Sequence, residues 1–399
     1  MNDLKRRALR VEANFAACEG SYWISFCAVS GFVAVFLSHR GLSDTQIGLT
    51  TSFGSAMAIA LQLVLSNVLD QHPELPIRRL ISVLFVVGIA SVACMQYLPL
   101  PTAMMIVAFA TCYAMGLCGN GYLNAQLMQY QNAGIPARYG WPRGVGSFCY
   151  AASAYAYGKL AEMFTPDVLM PCYMVGTAVC ILCVMLMPDP NAGRPSVPRP
   201  REERTTYREM LSGNRTLVVM LLCTLLNGIG NMAGYTFILR VVQRLGGGTA
   251  EYGISEFIRA GAEVPALFAS GYLLRHFKVK SMLSASFLFY GVRLLLLAFA
   301  TGIGAVYAAS ALNMLCVGLS TFSSVILVNR IVRENEKVRG QSLCVLCGSV
   351  GSIIGSAYAG AMIDHVGLTA MLLTSTLFCM LAWLGMVLLC KPDREPAHV

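Results

Sequence analysis

The chain has 399 residues, of which 56% are hydrophobic and 12% charged, with a formal net charge of +9. Its mean hydropathy is +0.62. Soluble domains carry about a quarter charged residues, so a chain this apolar would expose too much apolar surface if folded in water. The composition therefore predicts a polytopic membrane protein. Nucleic acid is excluded as a partner, because the basic residues are spread over short segments instead of gathered on one face.

The start, MNDLKRRALRVEANFAACEG, is basic but lacks a short apolar core followed by a small-residue cleavage site. The first apolar run is therefore expected to stay as a membrane helix. About 20 apolar residues cross the hydrocarbon core. Marking apolar runs against turn and charge signals predicts twelve spans: 14–37, 46–69, 79–98, 102–128, 141–163, 168–187, 215–240, 251–274, 280–301, 304–330, 341–363 and 369–390. The fourth and tenth are long and expected to tilt or extend past the bilayer. Between the sixth and seventh lies 188–214, PDPNAGRPSVPRPREERTTYREMLSGN, a proline-rich charged stretch that reads as a linker. Its end, TTYREMLSG, has the pattern of a short surface helix. The expected organisation is a six-helix bundle over 1–187, the linker 188–214, and a second six-helix bundle over 215–399.

Loop charge sets the expected orientation. With the N-terminus inside, Arg40, Lys159, Arg240 and Arg244 fall on outer segments. Arg259 and Arg293 fall inside helices, and the remaining Lys and Arg fall on inner segments. The positive-inside rule then puts both termini and the linker in the cytoplasm. The chain is expected in the cytoplasmic (inner) membrane.

The cysteines include Cys180-x-x-Cys183 and Cys344-x-x-Cys347. No second pair or histidine cluster completes a metal set, so they read as small buried hydrophobes, and no cofactor or metal is expected. No phosphate loop is present either, and an enzyme is not expected.

The two halves echo each other at an offset of about 200 residues. LSDTQIG (42–48) matches GTAEYG (248–253), and each is followed by a basic turn, Arg78 and Arg79 in one half and Lys278 and Lys280 in the other. SAYAYGKL (153–160) matches SAYAGAMI (356–363). Parallel duplication of this kind is a feature of transporters that rock two bundles about a central site.

With these features the chain resembles the major facilitator superfamily over nearly its whole length. That superfamily carries G-x-L-a-D-r-x-G-r-R between its second and third helices. SNVLDQHPELPIRRL (66–80) keeps Asp70, Arg78 and Arg79, and SGYLLRHFKVKSM (270–282) keeps Gly271, Arg275 and Lys278. The resemblance implies a cytoplasmic gate at Asp70, Arg78, Arg79 and Arg275, with simple topology charge as the alternative. A narrower resemblance is to the lactose-permease-like branch, which includes phenylpropionate-type permeases and nucleoside:proton symporters. FLSHRGLSDTQIGL (36–49), RYGWPRGVGSF (138–148), YTFILRVVQRLGG (235–247) and AEVPALFASGYLLRHF (262–277) carry it. Arg143, Gly146 and Ser147 match its R-x-x-G-S, and Arg293 matches an arginine of its ninth helix. Two departures stand out. The histidine common in the tenth helix is missing from NMLCVG (313–318), and an acid common in the fourth helix is Asn124 here.

Several residues are candidates for the site. Glu263 lies about 18 Å into the eighth helix and Arg293 about 20 Å into the ninth. Both therefore fall near the midplane, where an unpaired charge costs at least about 2.5–3.5 kcal/mol. Arg293 is the expected main partner of Glu263, and Arg259, one turn outward, a weaker one that could instead pair with Glu256 at i−3 or with an anionic substrate. Glu263 and Arg293 are then a proton-coupling pair, or alternatively a static pair that joins two helices. Pro265 removes a backbone donor and is expected to kink the eighth helix or to release the Gly261 carbonyl. Substrate-binding candidates are Glu19, Tyr22, Trp23, Asn124, Arg143, Asn227, Asn231, Arg259 and Asn313. For these the alternatives are interface anchoring, snorkelling and interhelical bonding.

The function these features imply is proton-coupled uptake of a small polar organic solute (an organic anion, sugar or nucleoside) by a monomer in lipid. Proton-coupled efflux, or a transport-inactive sensor on the same fold, are the alternatives. The fifth helix lacks the Gly-Pro of drug exporters, and the linker is too short for a sensor domain.

Overall fold

The computed structural model describes residues 3–72, 75–187, 207–333 and 336–390. Among them the chain is all helical, without strands. It divides into two compact units, 1–199 and 200–399. Linker residues 188–206 lie outside the described residues.

The first unit opens with α1 (Asp3–Phe26), a π turn (Cys27–Gly31) and α2 (Val33–His39). The helix begins about three turns before the apolar run, because Ala8, Val11 and Phe15 already recur at helical spacing and are buried. The predicted first span is bent by 52°. The break follows Ser30, whose Oγ donates to the Phe26 carbonyl at 2.7 Å and competes with the regular ladder. The unit continues with α3 (Asp44–Gln71), α4 (Ile77–Tyr97), α5 (Thr102–Asn132), α6 (Gly140–Met163) and α7 (Leu169–Leu186).

In the second unit are the short α8 (Tyr207–Gly213), α9 (Arg215–Thr236), α10 (Ile238–Arg244), α11 (Thr249–His276) and α12 (Val279–Ala298). They are followed by α13 (Ile303–Ala311), a π turn (Met314–Gly318), α14 (Leu319–Ile331), α15 (Lys337–His365) and α16 (Leu368–Leu388). The predicted tenth span is thus interrupted at the π turn. Helix α11 runs through Pro265 as one element.

Nine described helices are long and apolar enough to cross a membrane, or ten if the bent pair α1–α2 is one span. The predicted fifth and eighth spans, α6 and α11, are helices of 24 and 28 residues but are not among them. Arg143, Lys159 and Glu162 interrupt the first of these, and Glu256, Arg259 and Glu263 the second. The units also carry an apolar exterior: Leu63, Phe148, Leu182, Leu222 and Leu388 are all well exposed. Such surface is stable against lipid tails and unfavourable against water.

The internal repeat extends to packing. In the first unit α1 packs on α6 and α7, α3 on α5, and α4 on α5 and α7. In the second, α9 packs on α15 and α16, α11 on α13 and the π turn, and α12 on α14 and α16. The first long helix of each unit breaks at a phenylalanine with nearly the same backbone angles, Phe32 (φ −109°, ψ 21°) before α2 and Phe237 (φ −112°, ψ 18°) between α9 and α10. The matched segments LSDTQIG and GTAEYG do the same job. In each, the N-cap N–H donates to a side chain three residues on: Ser43 to Gln46 at 3.0 Å and Gly248 to Glu251 at 2.8 Å.

Candidate functional site

In the first unit the candidate residues meet where α1 approaches α6. Glu19 is fully buried. One turn on, Trp23 Nε1 donates to Glu19 Oε2 at 2.9 Å, while Glu19 Oε1 has no hydrogen-bond partner among the described residues. From α6, the Arg143 guanidinium lies 4.6 Å from the Trp23 ring centroid and donates to Ser147 Oγ at 2.9 Å. The contact needs Gly146, because a Cβ there would sit 2.5 Å from Trp23 Cδ1 and 3.1 Å from Glu19 Oε2. The R-x-x-G-S match therefore has a physical basis: the glycine admits the indole and the arginine covers it. Tyr22 points the other way. It stacks on Phe26 and Phe85, donates to the Gly116 carbonyl at 3.1 Å and is 2% exposed, as a core side chain is. On α5, Asn124 donates to the Asn120 carbonyl at 3.0 Å, and its own Oδ1 is buried without a hydrogen-bond partner among the described residues.

Sequence reasoning missed Glu12. It is 2% exposed and accepts from the Arg138 backbone N–H (2.8 Å), Arg138 Nε (3.3 Å) and Trp141 Nε1 (2.8 Å). It ties α1 to the segment that leads into α6. A lone glutamate in a charged N-terminal stretch gives no sign of burial, so only the fold reveals it.

The second unit holds a denser cluster. Glu256 and Arg259 on α11 are both buried. They form a two-pronged pair, with Arg259 Nε to Glu256 Oε1 at 2.9 Å and Nη2 to Oε2 at 2.6 Å. Tyr235 on α9 lies under the same guanidinium, 4.5 Å from ring centroid to Cζ. Glu263, one turn further, is 30% exposed and 3.8 Å from Arg259 Nη1. Its Oε1 accepts from Asn313 Nδ2 at 2.8 Å. The same amide donates to the Arg259 carbonyl at 3.3 Å, and its Oδ1 accepts from Arg293 Nη1 at 3.5 Å.

This arrangement corrects the expected pairing. Arg293 is not bonded to Glu263; its hydrogen bond goes to Asn313, and the amide stands between the two charges. The reason is steric as well as chemical. Asn313 begins the π turn of 314–318, and Gly318 at the end of that turn lets it press against α11, since a Cβ there would lie 2.4 Å from Ala266 Cβ. Such turns inside helices are frequent at functional sites. Arg293 is 2% exposed, yet its Nε and Nη2 have no hydrogen-bond partner among the described residues. Unpartnered buried donors cost about 1–3 kcal/mol each, more when charged.

The family follows from the sequence itself. The model of the MFS_1 like family matches residues 17–382. The chain belongs to the MFS_1 like family. No curated protein sequence matches it. Its structure has the fold of solved transporters. The nucleoside transporter NupG is similar at TM-score 0.75 and 13% identity, over 98% of this chain and 100% of that one. A bacterial homologue of the human lysosomal transporter Spinster, inward-facing and unoccupied, is similar at 0.68 and 14%, over 98% and 99%. An autoinhibited POT-family peptide transporter is similar at 0.74 and 11%, over 98% and 99%.

The other expected residues of this MFS_1 like chain are scattered. Asn227 is buried on α9, its Oδ1 without a hydrogen-bond partner among the described residues, and Asn231, one turn on, is half-buried. Neither is hydrogen-bonded to the Glu263 cluster among the described residues. At the expected gate, Arg78 Nη1 donates to the Met187 carbonyl at 3.3 Å, and Arg79 is exposed at the start of α4. Arg275 is exposed in the last turn of α11. Asp70 falls in the last turn of α3, but its side chain lies outside the described residues. All 15 cysteines are free, and no group of three metal-ligating side chains forms among the described residues.

Proposed function

We propose that this protein is a secondary active transporter. It takes up a small polar organic solute across the cytoplasmic membrane by alternating access, coupled to protons. The reading includes twelve spans in two six-helix bundles, over 1–187 and 215–399, with linker 188–214 and both termini cytoplasmic. Asp70, Arg78, Arg79 and Arg275 act as a cytoplasmic gate. Glu19, Trp23, Arg143 and the amides Asn124, Asn227 and Asn231 offer polar contacts to the solute, and the chain acts as a monomer.

The observation that carries the coupling is the contrast between two acids on one face of α11, two turns apart. Glu256 is 1% exposed and held on both oxygens by Arg259. Protonating it would strand a buried guanidinium, at about 3–5 kcal/mol. Glu263 is 30% exposed, with a neutral amide as its 2.8 Å partner. It can take a proton without breaking a tight ion pair, so Glu263 is the acid fitted to load and release a proton. Arg293 acts on it through Asn313.

The experiment is uptake into proteoliposomes under an imposed acid-outside gradient. The solute is first found by thermal-shift screening of purified protein across sugars, nucleosides and organic acids. Wild type should accumulate it above equilibrium, and Glu263→Gln should exchange it without accumulation. If the glutamine variant concentrates solute as wild type does, the coupling role of Glu263 is wrong.

A further inference from the structure

Among the described residues, Arg293 is the least satisfied charge of the second unit. It is 2% exposed, and two of its three guanidinium nitrogens have no hydrogen-bond partner among the described residues. Its third nitrogen reaches Asn313 Oδ1 at 3.5 Å, at the limit of a hydrogen bond. Buried donors are nearly always satisfied in native proteins, and an orphan points to a group that arrives from outside.

The charges around it say what that group is. The cluster holds two cations, Arg259 and Arg293, and two acids, Glu256 and Glu263. Glu256 is committed to Arg259 through both carboxylate oxygens. Glu263, 3.8 Å from Arg259 and joined to Arg293 through Asn313, supplies the second negative charge of the cluster. The other ionisable groups near the cluster are Tyr235 of α9, Tyr290 of α12, Cys316 of the π turn and Cys379 of α16. Tyrosine and cysteine ordinarily ionise above about pH 8. Glu263, 30% exposed and outside the two-pronged pair, is the acid of the cluster that can gain and lose a proton without stranding a guanidinium. When it is protonated the cluster carries one unmatched positive charge, centred on two unused donors of Arg293.

Resting on the transporter reading above, we infer that the substrate is an organic monoanion whose carboxylate binds Arg293 when Glu263 is protonated. A guanidinium presents parallel N–H groups that match a carboxylate in a two-pronged bond. A neutral sugar or nucleoside could accept from the same donors but would leave the charge unbalanced. With Glu263 ionised, an incoming carboxylate meets a like charge and the cluster is already balanced, so proton and anion bind together. One proton enters with each anion, and no net charge moves.

The test uses matched probes on the purified full-length protein: glucuronate against glucose, and orotate against uracil. Wild type should be thermally stabilised by at least one carboxylate and not by its neutral counterpart. Apparent affinity should rise about tenfold per unit fall in pH while Glu263 is ionised in the free protein. Glu263→Gln should bind the carboxylate with no pH dependence. Arg293→Gln should not bind it, and Arg293→Lys, which keeps the charge and guards against misfolding, should bind it more weakly. In proteoliposomes, uptake of the carboxylate should respond to a pH gradient and not to membrane voltage. Equal or greater stabilisation by the neutral probes, or by none of the four, overturns the anion site. If a neutral probe is also accumulated with protons, the transporter reading stands without it. If the carboxylate binds through Arg293 but its uptake ignores the pH gradient, the anion site stands and the coupling reading falls; a voltage-driven response overturns the one-to-one pairing.

Discussion

Replacing Asn313 with leucine tests whether the amide between Arg293 and Glu263 works as a charge relay. The two side chains are similar in size, so the change removes polarity more than volume. Three hydrogen bonds disappear: to Glu263 at 2.8 Å, to the Arg259 carbonyl at 3.3 Å and from Arg293 at 3.5 Å. A bond to an ionised acceptor is worth about 1.5–3 kcal/mol. Neutral bonds between membrane helices average about 0.6 kcal/mol. The expected loss is therefore about 2–4 kcal/mol, most of it from Glu263. Glu263→Gln turns that contact into a neutral one, so in this background Asn313→Leu should cost only about 1–2 kcal/mol. The coupling in a double-mutant cycle should be about 1–2 kcal/mol, measured by reversible unfolding in micelles at pH 7.5. A protonated carboxyl no longer accepts as an anion, so the charged part of this bond is lost where Glu263 is protonated. Lowering the pH should shrink the wild-type cost of Asn313→Leu toward the glutamine value. A coupling below about 0.5 kcal/mol, within the range of independent sites, would show that the amide does not sense the charge of Glu263.

Gly351→Ala should destabilise the second unit by about 1–3 kcal/mol, because its Cβ would sit 2.4 Å from the Leu225 carbonyl oxygen on α9 and force two backbones apart. Gly348→Ala, one turn away with only Thr224 Cγ2 at 3.7 Å, should leave the melting temperature unchanged or raise it; equal shifts in the two variants refute the packing argument. Glu12→Gln should weaken three donor contacts and speed tryptic cleavage after Arg138, read on gels against an unchanged Arg79 site. Gly146→Ala should displace Trp23 from Glu19 and Arg143, shifting tryptophan emission and lowering solute uptake, while Gly144→Ala, which meets nothing within 4 Å, should do neither.

Composition and apolar run length were enough to make the chain a helical membrane protein with repeated halves, because lipid admits few alternatives to helices about 20 residues long. The echo of LSDTQIG in GTAEYG was legible for a local reason: each segment caps a helix, and capping uses residues three apart in sequence. Arg259, Glu263 and Arg293 stood out because charges are rare in apolar runs. One partner was legible as well, since Glu256 lies three residues before Arg259 on the same helix face; Asn313 was not. Asn313 was visible as a residue, but whether Glu263 met Arg293 or an amide depended on a π turn at 314–318 and on Gly318 pressed against Ala266. Glu12 gave no signal at all, since its partners, Arg138 and Trp141, lie more than a hundred residues away. Periodicity and composition report what a segment must bury. Which buried groups touch is decided by how helices distant in sequence approach one another, and only the tertiary structure holds that information.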